Sequence, residues 1–482
     1  MNVALTLEWV ARAVGGRLTA GRGDTEVGEV VIDSRVAGPG DLFVAIKGPR
    51  FDGHDFVAEV LTRGAAAAIV DGKADLKVGL YQRDGTDVGR GRPSGRPFGP
   101  VIAVGDTVRA LQDLAHAVRM AAATKVIAIT GSAGKTTTKE TIAAFLERRK
   151  TVVKNKGNLN NHIGLPLSLM QVRHAPDVAV MELGMNHAGE ISTLVAIAEP
   201  DVRVWTNVGD AHLGFFASPE AIADAKAEIL ERATPSTVLV CNADDPRVMS
   251  RVVGFPGRTV TFGASDRATV RATVIEDRGL SGMAARVATP AGETVLETPL
   301  LGRGNLSNVL AATAVAAEFG VTLDEIADTA ARLRPADRRG AVHRLPSGVT
   351  VVDDSYNSSP AALAKSLEVV TQEQSATRRV AVLGEMLELG DHADRLHAES
   401  GRLAARSGID VLFAIGGPAA RSLAAAAIDA GMPADAVTYF ASSEEAAPVI
   451  AKAVGAGDLV LVKGSRGIRT DVVVDRLAAE RA

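Results

Sequence analysis

Short apolar, β-branched runs recur along the chain, and between many of them lie stretches whose apolar residues fall at helical spacing. Strand-like runs in the first part are Val27 to Ile32, Leu42 to Ile46 and Ala66 to Val70. The middle part has Val126 to Ile129, Val178 to Met181, Val202 to Thr206 and Val238 to Val240; the last has Val349 to Val352, Val380 to Leu383, Val411 to Ile415 and Leu459 to Val462. Helical spacing is clear after Asp106, a natural N-cap, where Val108, Leu111, Leu114, Ala115 and Val118 share one face. It is clear again after Ser218, a cap followed by Pro219 at the first helical position, with Ile222, Ala225, Ile229 and Leu230 as the stripe. Alternating strands and helices predict an α/β fold with parallel sheets, and such sheets bind ligands at the carboxyl ends of their strands. Polar residues gather at those ends: Glu182, then Asn207, Asp210 and His212, then Asn242, Asp244 and Asp245.

The chain has 482 residues, too many for one core at about 150 residues per domain. The pattern places breaks near residues 105 and 334, giving domains at 1–105, 106–334 and 335–482. Lys77 to Pro100 is rich in Gly, Arg and Pro without periodicity, and reads as a flexible loop in the first domain. A net charge of −4, without Lys/Arg blocks beside aromatics, gives no footprint for nucleic acid. Cys241 is the only cysteine, which rules out an intramolecular disulfide or a multi-cysteine metal site. The N-terminus lacks a basic segment followed by an apolar core, and no run reaches about 18 apolar residues. The expectation is a cytoplasmic enzyme without stable membrane insertion, and a monomer.

The most specific stretch is Lys125 to Glu140, KVIAITGSAGKTTTKE: a strand, a glycine loop and a helix start. Glycines let backbone N–H groups turn toward an anion, the helix N-terminus adds its dipole, Lys135 reaches outer phosphates and the Thr136 hydroxyl suits Mg²⁺. The motif is GxxGKTT, not the commoner GxxxxGK[ST], because Ile129 stands where that form has glycine. Glu182, after a strand, occupies a usual place for a magnesium-ordering acid. His212 reads either as a metal contact or as a hydrogen-bonded structural residue. Lys226 lies on the apolar stripe of its helix, so it is either a lysine snorkelling from the stripe's edge or a desolvated amine with a lowered pKa, paired or covalently modified.

Other candidates are less specific on their own. Asn160 and Asn161, in GNLNNHIG, offer donors and acceptors to a substrate, or cap a turn. Asn305 and Asn308 stand three apart at a helix start, where one caps the helix while the other reads a base edge; for Asn305 alone, capping is expected. Ser34, Arg35 and Lys47 follow strands and suit a diphosphate or a uracil, with solvated turn residues as the alternative. His54 reads as a turn or packing residue. Arg338, Asp353, Asp354 and Tyr356 read as exposed residues at a strand end of the last domain, either ligand contacts or ordinary salt-bridge and turn residues.

GSAGKTT, ELGMNHAGEI, the GDAH and KAEI pair, GRGNLSN, DDSYNSSP, LGEMLELG and LVKGSRG together span nearly the whole chain, and in them it resembles the Mur ligases. These are ATP-dependent amide-forming enzymes of peptidoglycan precursor synthesis, serving cell wall biogenesis, cell shape and cell division. The resemblance implies three domains: a small α/β uridine-nucleotide-binding domain, a central P-loop parallel-sheet ATPase domain and a C-terminal Rossmann-like domain. GNLNNHIG, DDSYN and LVKGSRG are similar to the members that join D-alanyl-D-alanine to a UDP-N-acetylmuramoyl-tripeptide, forming ADP. DSR, LFVAIKG and DGHDF are similar to their uridine-nucleotide-binding domain, which raises Ser34 and Arg35 as contacts.

By the same resemblance, Thr130, Gly131, Ser132, Ala133, Gly134, Lys135 and Thr136 hold the ATP phosphates, and Thr136 and Glu182 bind one Mg²⁺. His212 touches a second metal ion, which a carbamylated Lys226 bridges; Lys135, Lys226 and His212 form the catalytic set. Asn305 and Asn308 flank the adenine, while Arg338 and Asp354 reach the nucleotide from the third domain. Gly304 departs from the family, which often has histidine there, so that residue's base contact is lost or supplied otherwise. Ser358 and Ser359 replace smaller or amide residues. The rivals are the family member that adds the third peptide residue, a folylpolyglutamate-type ligase, and a nucleotide-gated binding protein that forms no bond.

Overall fold

The computed structural model describes residues 2–73, 99–209 and 214–480. Of the expected Lys77 to Pro100 loop, only Gly99 and Pro100 lie within the described residues, and Asp210 and His212 lie outside them. The fold is three-domain α/β, and the chain divides into two compact units: Met1–Ala128 with Lys150–Gly184 and Ser192–Asp201, and Ile129–Arg149 with Met185–Ile191 and Val202–Ala482.

The first sheet contains β1 (Arg17–Leu18), β2 (Val30–Val31), β3 (Leu42–Val44), β4 (Ala67–Asp71) and β5 (Val101–Val104), in the order β1-β5-β4-β3-β2. Only β1 runs antiparallel to its neighbour. The run expected from Val27 shortens to Val30–Val31 because the Val27 N–H bonds Leu5 O and the Gly28 N–H bonds Gly40 O, both at 2.7 Å, instead of a ladder partner.

The central sheet contains β6 (Lys125–Thr130), β7 (Val152–Lys154), β8 (Val178–Glu182), β9 (Val202–Trp205), β10 (Val238–Asn242), β11 (Arg258–Gly263), β12 (Val270–Asp277), β13 (Met283–Thr289) and β14 (Gly292–Thr298). Their order is β14-β13-β12-β11-β10-β9-β6-β8-β7. Strands β8 and β9 are buried along their whole length and β6 all but its first residue, the pattern of parallel strands covered on both faces. Strands β12, β13 and β14 form an antiparallel extension that the apolar runs did not announce. Along β12 and β14 buried or half-buried positions alternate with more exposed ones, and a two-residue turn at Pro290 and Ala291 joins β13 to β14, which opens at Gly292 with φ +132°.

The last sheet contains β15 (Ala341–Arg344), β16 (Thr350–Asp354), β17 (Arg378–Gly384), β18 (Val411–Ile415), β19 (Val437–Phe440) and β20 (Asp458–Lys463), in the order β15-β16-β20-β17-β18-β19. Val351, Val380, Val382, Val460 and Val462 pack into one core; Val352, Ala381, Leu383, Leu459 and Leu461 pack into another. The period-two alternation fills both faces of a doubly wound sheet.

Both expected caps form. Asp106 Oδ1 accepts the Arg109 N–H at 2.9 Å before the helix Thr107–Ala121, and Ser218 Oγ accepts the Ala221 N–H at 3.2 Å before the helix Pro219–Ala227. Each such cap stabilises its helix by about 1 kcal/mol.

Candidate active site

The phosphate loop leaves β6 at Thr130 and enters the helix Lys135–Leu146, with Gly134 as N-cap in the left-handed region at φ +82°. A Cβ on Gly134 would meet Asn308 Oδ1 at 2.2 Å, and one on Gly131, at φ +154°, would meet Thr206 Oγ1 at 1.9 Å. Backbone conformation and space therefore both demand glycine at these two positions. Intrahelical bonding begins with the Thr138 N–H to Gly134 O at 2.8 Å, which places the start of this helix and the positive end of its dipole at the loop. Lys135 Nζ donates to Gly131 O at 2.7 Å, folded back over the loop.

The opposite side of the loop is gripped by the end of β9. The Ser132 N–H donates to Asn207 O at 3.0 Å, the Ala133 N–H to Asn207 Oδ1 at 2.9 Å, and Asn207 Nδ2 donates to Ala133 O at 3.0 Å. Thr206 Oγ1 donates to Ala133 O at 2.8 Å. Two of the loop's N–H groups are thus used to shape it and do not point at an anion. Asn207 was visible in the sequence only as one of several polar residues after a strand. Its partners lie 74 residues away, beyond any local pattern.

Asn308, buried at 6 % exposure, accepts from Thr138 Oγ1 at 3.2 Å and donates from Nδ2 to Asn305 Oδ1 at 3.2 Å. Asn305 does not cap its helix. The helix Gly302–Glu318 begins three residues earlier, with Leu301 as N-cap, and Asn305 Nδ2 reaches back to Leu301 O at 2.9 Å. The glycines Gly302 and Gly304 disguised this first turn, because they break the apolar pattern without breaking the helix.

Lys226 is 1 % exposed on the helix Pro219–Ala227. Burial, and secondarily the charge of Lys135, hold its amine well below the usual lysine range. Among the described residues no carboxylate ion-pairs with it. The apolar stripe does carry this lysine inward, next to the field of the phosphate-loop lysine.

In the other compact unit, Glu182 ends β8, buried at 4 % exposure. Asn160 Nδ2 donates to Glu182 Oε1 at 2.8 Å, and Asn155 brackets the Glu182 backbone, accepting its N–H at 3.1 Å and donating to its carbonyl at 3.2 Å. Asn161 Oδ1 accepts the Gly164 N–H at 2.8 Å at the start of the helix Gly164–Leu169. In the first sheet, Arg35 is exposed and pairs with Asp33 at 2.6 Å, while Arg63 donates to Ser34 O. Lys47 follows β3 in an isolated bridge with Asp52. His54 is the structural residue expected: Nε2 accepts the Asp71 N–H at 2.9 Å, leaving Nδ1–H to donate to Asp52 at 2.6 Å.

At the end of β16, Asp353 is buried, not exposed, and its desolvated carboxyl is pushed up from the usual range despite Ser355 Oγ at 2.5 Å. Arg338 Nη1 lies 3.4 Å from Asp353 and its Nη2 2.8 Å from Asp475. Asp354 accepts from the buried Lys463 at 2.5 Å and from Ser366 Oγ at 2.8 Å. The Tyr356 ring is approached by two guanidiniums, Arg339 at 4.0 Å and Arg466 at 5.1 Å. Asn242, Asp244 and Asp245 serve structure instead: Asn242 donates to Thr206 O, Asp244 accepts the Ala264 and Ser265 N–H groups, and Asp245 caps the helix Pro246–Arg251. Cys241 is buried and its thiol is pushed up to about 12, so it is no nucleophile.

The loop, with its two obligatory glycines and helix-start donors, fits a nucleotide's phosphates. A magnesium ion prefers oxygen donors, which Thr136 and Glu182 carry, whereas an unmodified Lys226 amine does not suit it. No group of three or more His, Cys, Asp or Glu side chains able to hold a metal occurs among the described residues.

The sequence matches the Mur ligase family catalytic domain over residues 26–125, the Mur ligase middle domain over 129–316 and the Mur ligase glutamate ligase domain over 338–466. It is 32% identical over 473 residues to a UDP-N-acetylmuramoyl-tripeptide--D-alanyl-D-alanine ligase of Bacillus subtilis, covering 98% of each chain. The structure superimposes on MurF from Acinetobacter baumannii with a TM-score of 0.86, 31% identity and 99% of both chains covered. On the MurF ligase from Thermotoga maritima in complex with ADP, the TM-score is 0.78 at 29% identity, covering 94% of this chain and 97% of the other. The chain belongs to the Mur ligase family, with relatives of the MurF type over nearly its whole length.

Proposed function

We propose that the chain uses ATP to join D-alanyl-D-alanine to a UDP-N-acetylmuramoyl-tripeptide, releasing ADP and phosphate. The observation that carries this reading is Lys226, a buried amine on the helix beside the phosphate loop, its proton affinity lowered by desolvation and by the charge of Lys135. A neutral amine takes up CO₂: the N–C bond forms, a proton leaves, and the lysine becomes a carbamate. The product bears one negative charge and two oxygens, which offsets Lys135 and suits Mg²⁺. Thr136, Glu182, His212 and the Lys226 carbamate would hold magnesium, which supplies charge neutralisation around the transferring phosphoryl group.

In the first step an oxygen of the tripeptide's terminal carboxylate attacks the γ-phosphorus of ATP. The bond to ADP breaks and an acyl phosphate forms, with Lys135 stabilising the charge on the transferring group. In the second step the free amine of D-alanyl-D-alanine attacks the acyl carbon; the C–O bond to phosphate breaks and the amine loses its proton. Water must be kept from the acyl phosphate, and the contact between the Gly214 N–H and Glu388 O at 2.9 Å supports closure of the last domain over the central one.

The domains are taken as 1–105, 106–334 and 335–482. Ser34, Arg35 and Lys47 bind the uridine nucleotide, Asn160 and Asn161 line the peptide side, and Asn305, Asn308, Arg338 and Asp354 serve the adenosine side. The working form is a cytoplasmic monomer; no helix among the described residues is long and apolar enough to cross a membrane. The test is phosphate release with the tripeptide nucleotide, carrying lysine or diaminopimelate, with and without D-alanyl-D-alanine. Release that requires both substrates supports the reading; equal release without the dipeptide, or with the dipeptide nucleotide and a single amino acid, overturns it.

A further inference from the structure

One buried charge has no part in the chemistry above. Arg203 sits in β9, 2 % exposed, in register with Leu239 of β10. Burial pulls its guanidinium down to about 10, against the opposing charge of Glu231. Its Nη1 donates to Ile229 O and to Glu231 O, carbonyls of the 3₁₀ turn Glu228–Leu230 and the residue after it, which continue the Lys226 helix. Carbonyls at a helix end have no intrahelical donor, and a cation there also meets the negative end of the dipole.

We propose that Arg203 is a positioning residue that fixes Lys226 relative to the phosphate loop. This rests on the role given to Lys226 above. Ile229 is three residues beyond Lys226, so Arg203 grips the turn that carries the reactive amine. Directly after the end of β9, three residues beyond Arg203 and about 10 Å away at strand rise, Thr206 holds the loop: its N–H bonds Thr130 O at 3.0 Å and its Oγ1 bonds Ala133 O at 2.8 Å. The segment formed by β9 and the residue after it therefore holds the turn following the Lys226 helix at one point and the Lys135 loop at another. Packing alone does not call for a guanidinium here, since a buried charge is often replaceable by an apolar side chain without loss of stability. Arg203 Nε and Trp205 Nε1, on the same face of β9, are buried without acceptors among the described residues. The face is a poor place for a charge kept for stability, and Arg203 is held there by its two carbonyls.

The test compares Arg203→Met and Arg203→Lys in the full-length protein. Melting temperature and folded fraction come first, then kcat, KM for ATP, and the carbamate signal in ¹³C NMR after exchange with ¹³C-bicarbonate. Methionine makes neither bond, whereas lysine reaches one carbonyl. The expected result is a folded Arg203→Met with KM for ATP within about twofold of wild type, kcat lower by about tenfold or more, and a weakened carbamate signal, with Arg203→Lys intermediate. Wild-type kcat per folded molecule in Arg203→Met, with an unchanged carbamate signal, overturns the proposal. If the methionine variant does not fold, Arg203→Lys decides: a reduced kcat at unchanged KM supports positioning, and a wild-type kcat refutes it. Full activity in a variant lacking Lys226 would instead remove the role of Lys226 itself, so the two failures are distinguishable.

Discussion

Replacement of Lys226 by methionine separates a reactive lysine from a structural one, because the two readings predict opposite changes in stability. The amine is 1 % exposed and no carboxylate pairs with it among the described residues. Its pKa in the folded chain lies well below the ordinary 10.5, so the native chain binds this proton less tightly than the unfolded chain does. Below the unfolded value that difference works against folding, and it diminishes as pH rises toward 10.5. Desolvation of such an amine, without a carboxylate to offset it, therefore opposes folding at neutral pH. Methionine has a similar length and no charge to neutralise. Lys226→Met should therefore be more stable than the wild type held free of CO₂, by about 1 to 4 kcal/mol. Activity should move the other way, falling by about 10² or more with loss of the carbamate charge. The assay pairs urea unfolding, in CO₂-depleted buffer, with phosphate release under saturating substrates. A variant that keeps wild-type kcat, or one that loses stability and activity in proportion, would refute the reasoning.

Three further outcomes follow from particular contacts. Asn207→Ala removes two hydrogen bonds that shape the phosphate loop, together about 1 to 3 kcal/mol; KM for ATP should rise about tenfold, and an unchanged KM would show that the loop holds its shape alone. Gly214→Ala places a Cβ 2.6 Å from Glu388 O and 2.7 Å from Gly390 N, so kcat should fall while ATP binding, measured by calorimetry, stays as in wild type; an undiminished kcat would exclude a catalytic need for that contact. His397 is buried with its pKa lowered by desolvation; Nε2 accepts the Met386 N–H at 2.8 Å and Nδ1 faces Ala393 O at 2.7 Å. The unfolded chain takes up this proton first, so stability is lost as pH falls below about 6.5, by up to about 1.4 kcal/mol per unit until the native group titrates. His397→Gln should flatten that slope in urea titrations, and an equal slope in both proteins would contradict it.

What the sequence disclosed, and what it hid, divides along the range of the interactions. The phosphate loop was readable because strand, glycines, lysine and helix are contiguous and each has a local signature. The place of Lys226 on the apolar stripe followed from helical spacing, though not whether its amine is buried or snorkels to the edge, and the two helix caps followed from side chains adjacent to their targets. Asn207 and Arg203 act through partners distant in sequence, and their only signals were a polar residue after a strand and an arginine inside an apolar run. The helix start at Gly302 was obscured by glycines, which moved the expected cap to Asn305. The antiparallel strands β12 to β14 carry half-exposed residues and few apolar runs, so a search for buried parallel strands passed over them. Asp353 was expected at the surface because it follows an apolar run beside other polar residues, yet its own side chain points inward against Arg338 and Ser355.

Activation of a carboxylate by ATP is the centre of this account, and isotope transfer tests it most directly. The terminal carboxylate of the tripeptide nucleotide is labelled with ¹⁸O and turned over with ATP and D-alanyl-D-alanine, and the released phosphate is analysed by mass spectrometry. An acyl phosphate places one carboxylate oxygen in each phosphate released, so the label should appear there in step with peptide formation. Peptide formed with unlabelled phosphate would contradict the mechanism.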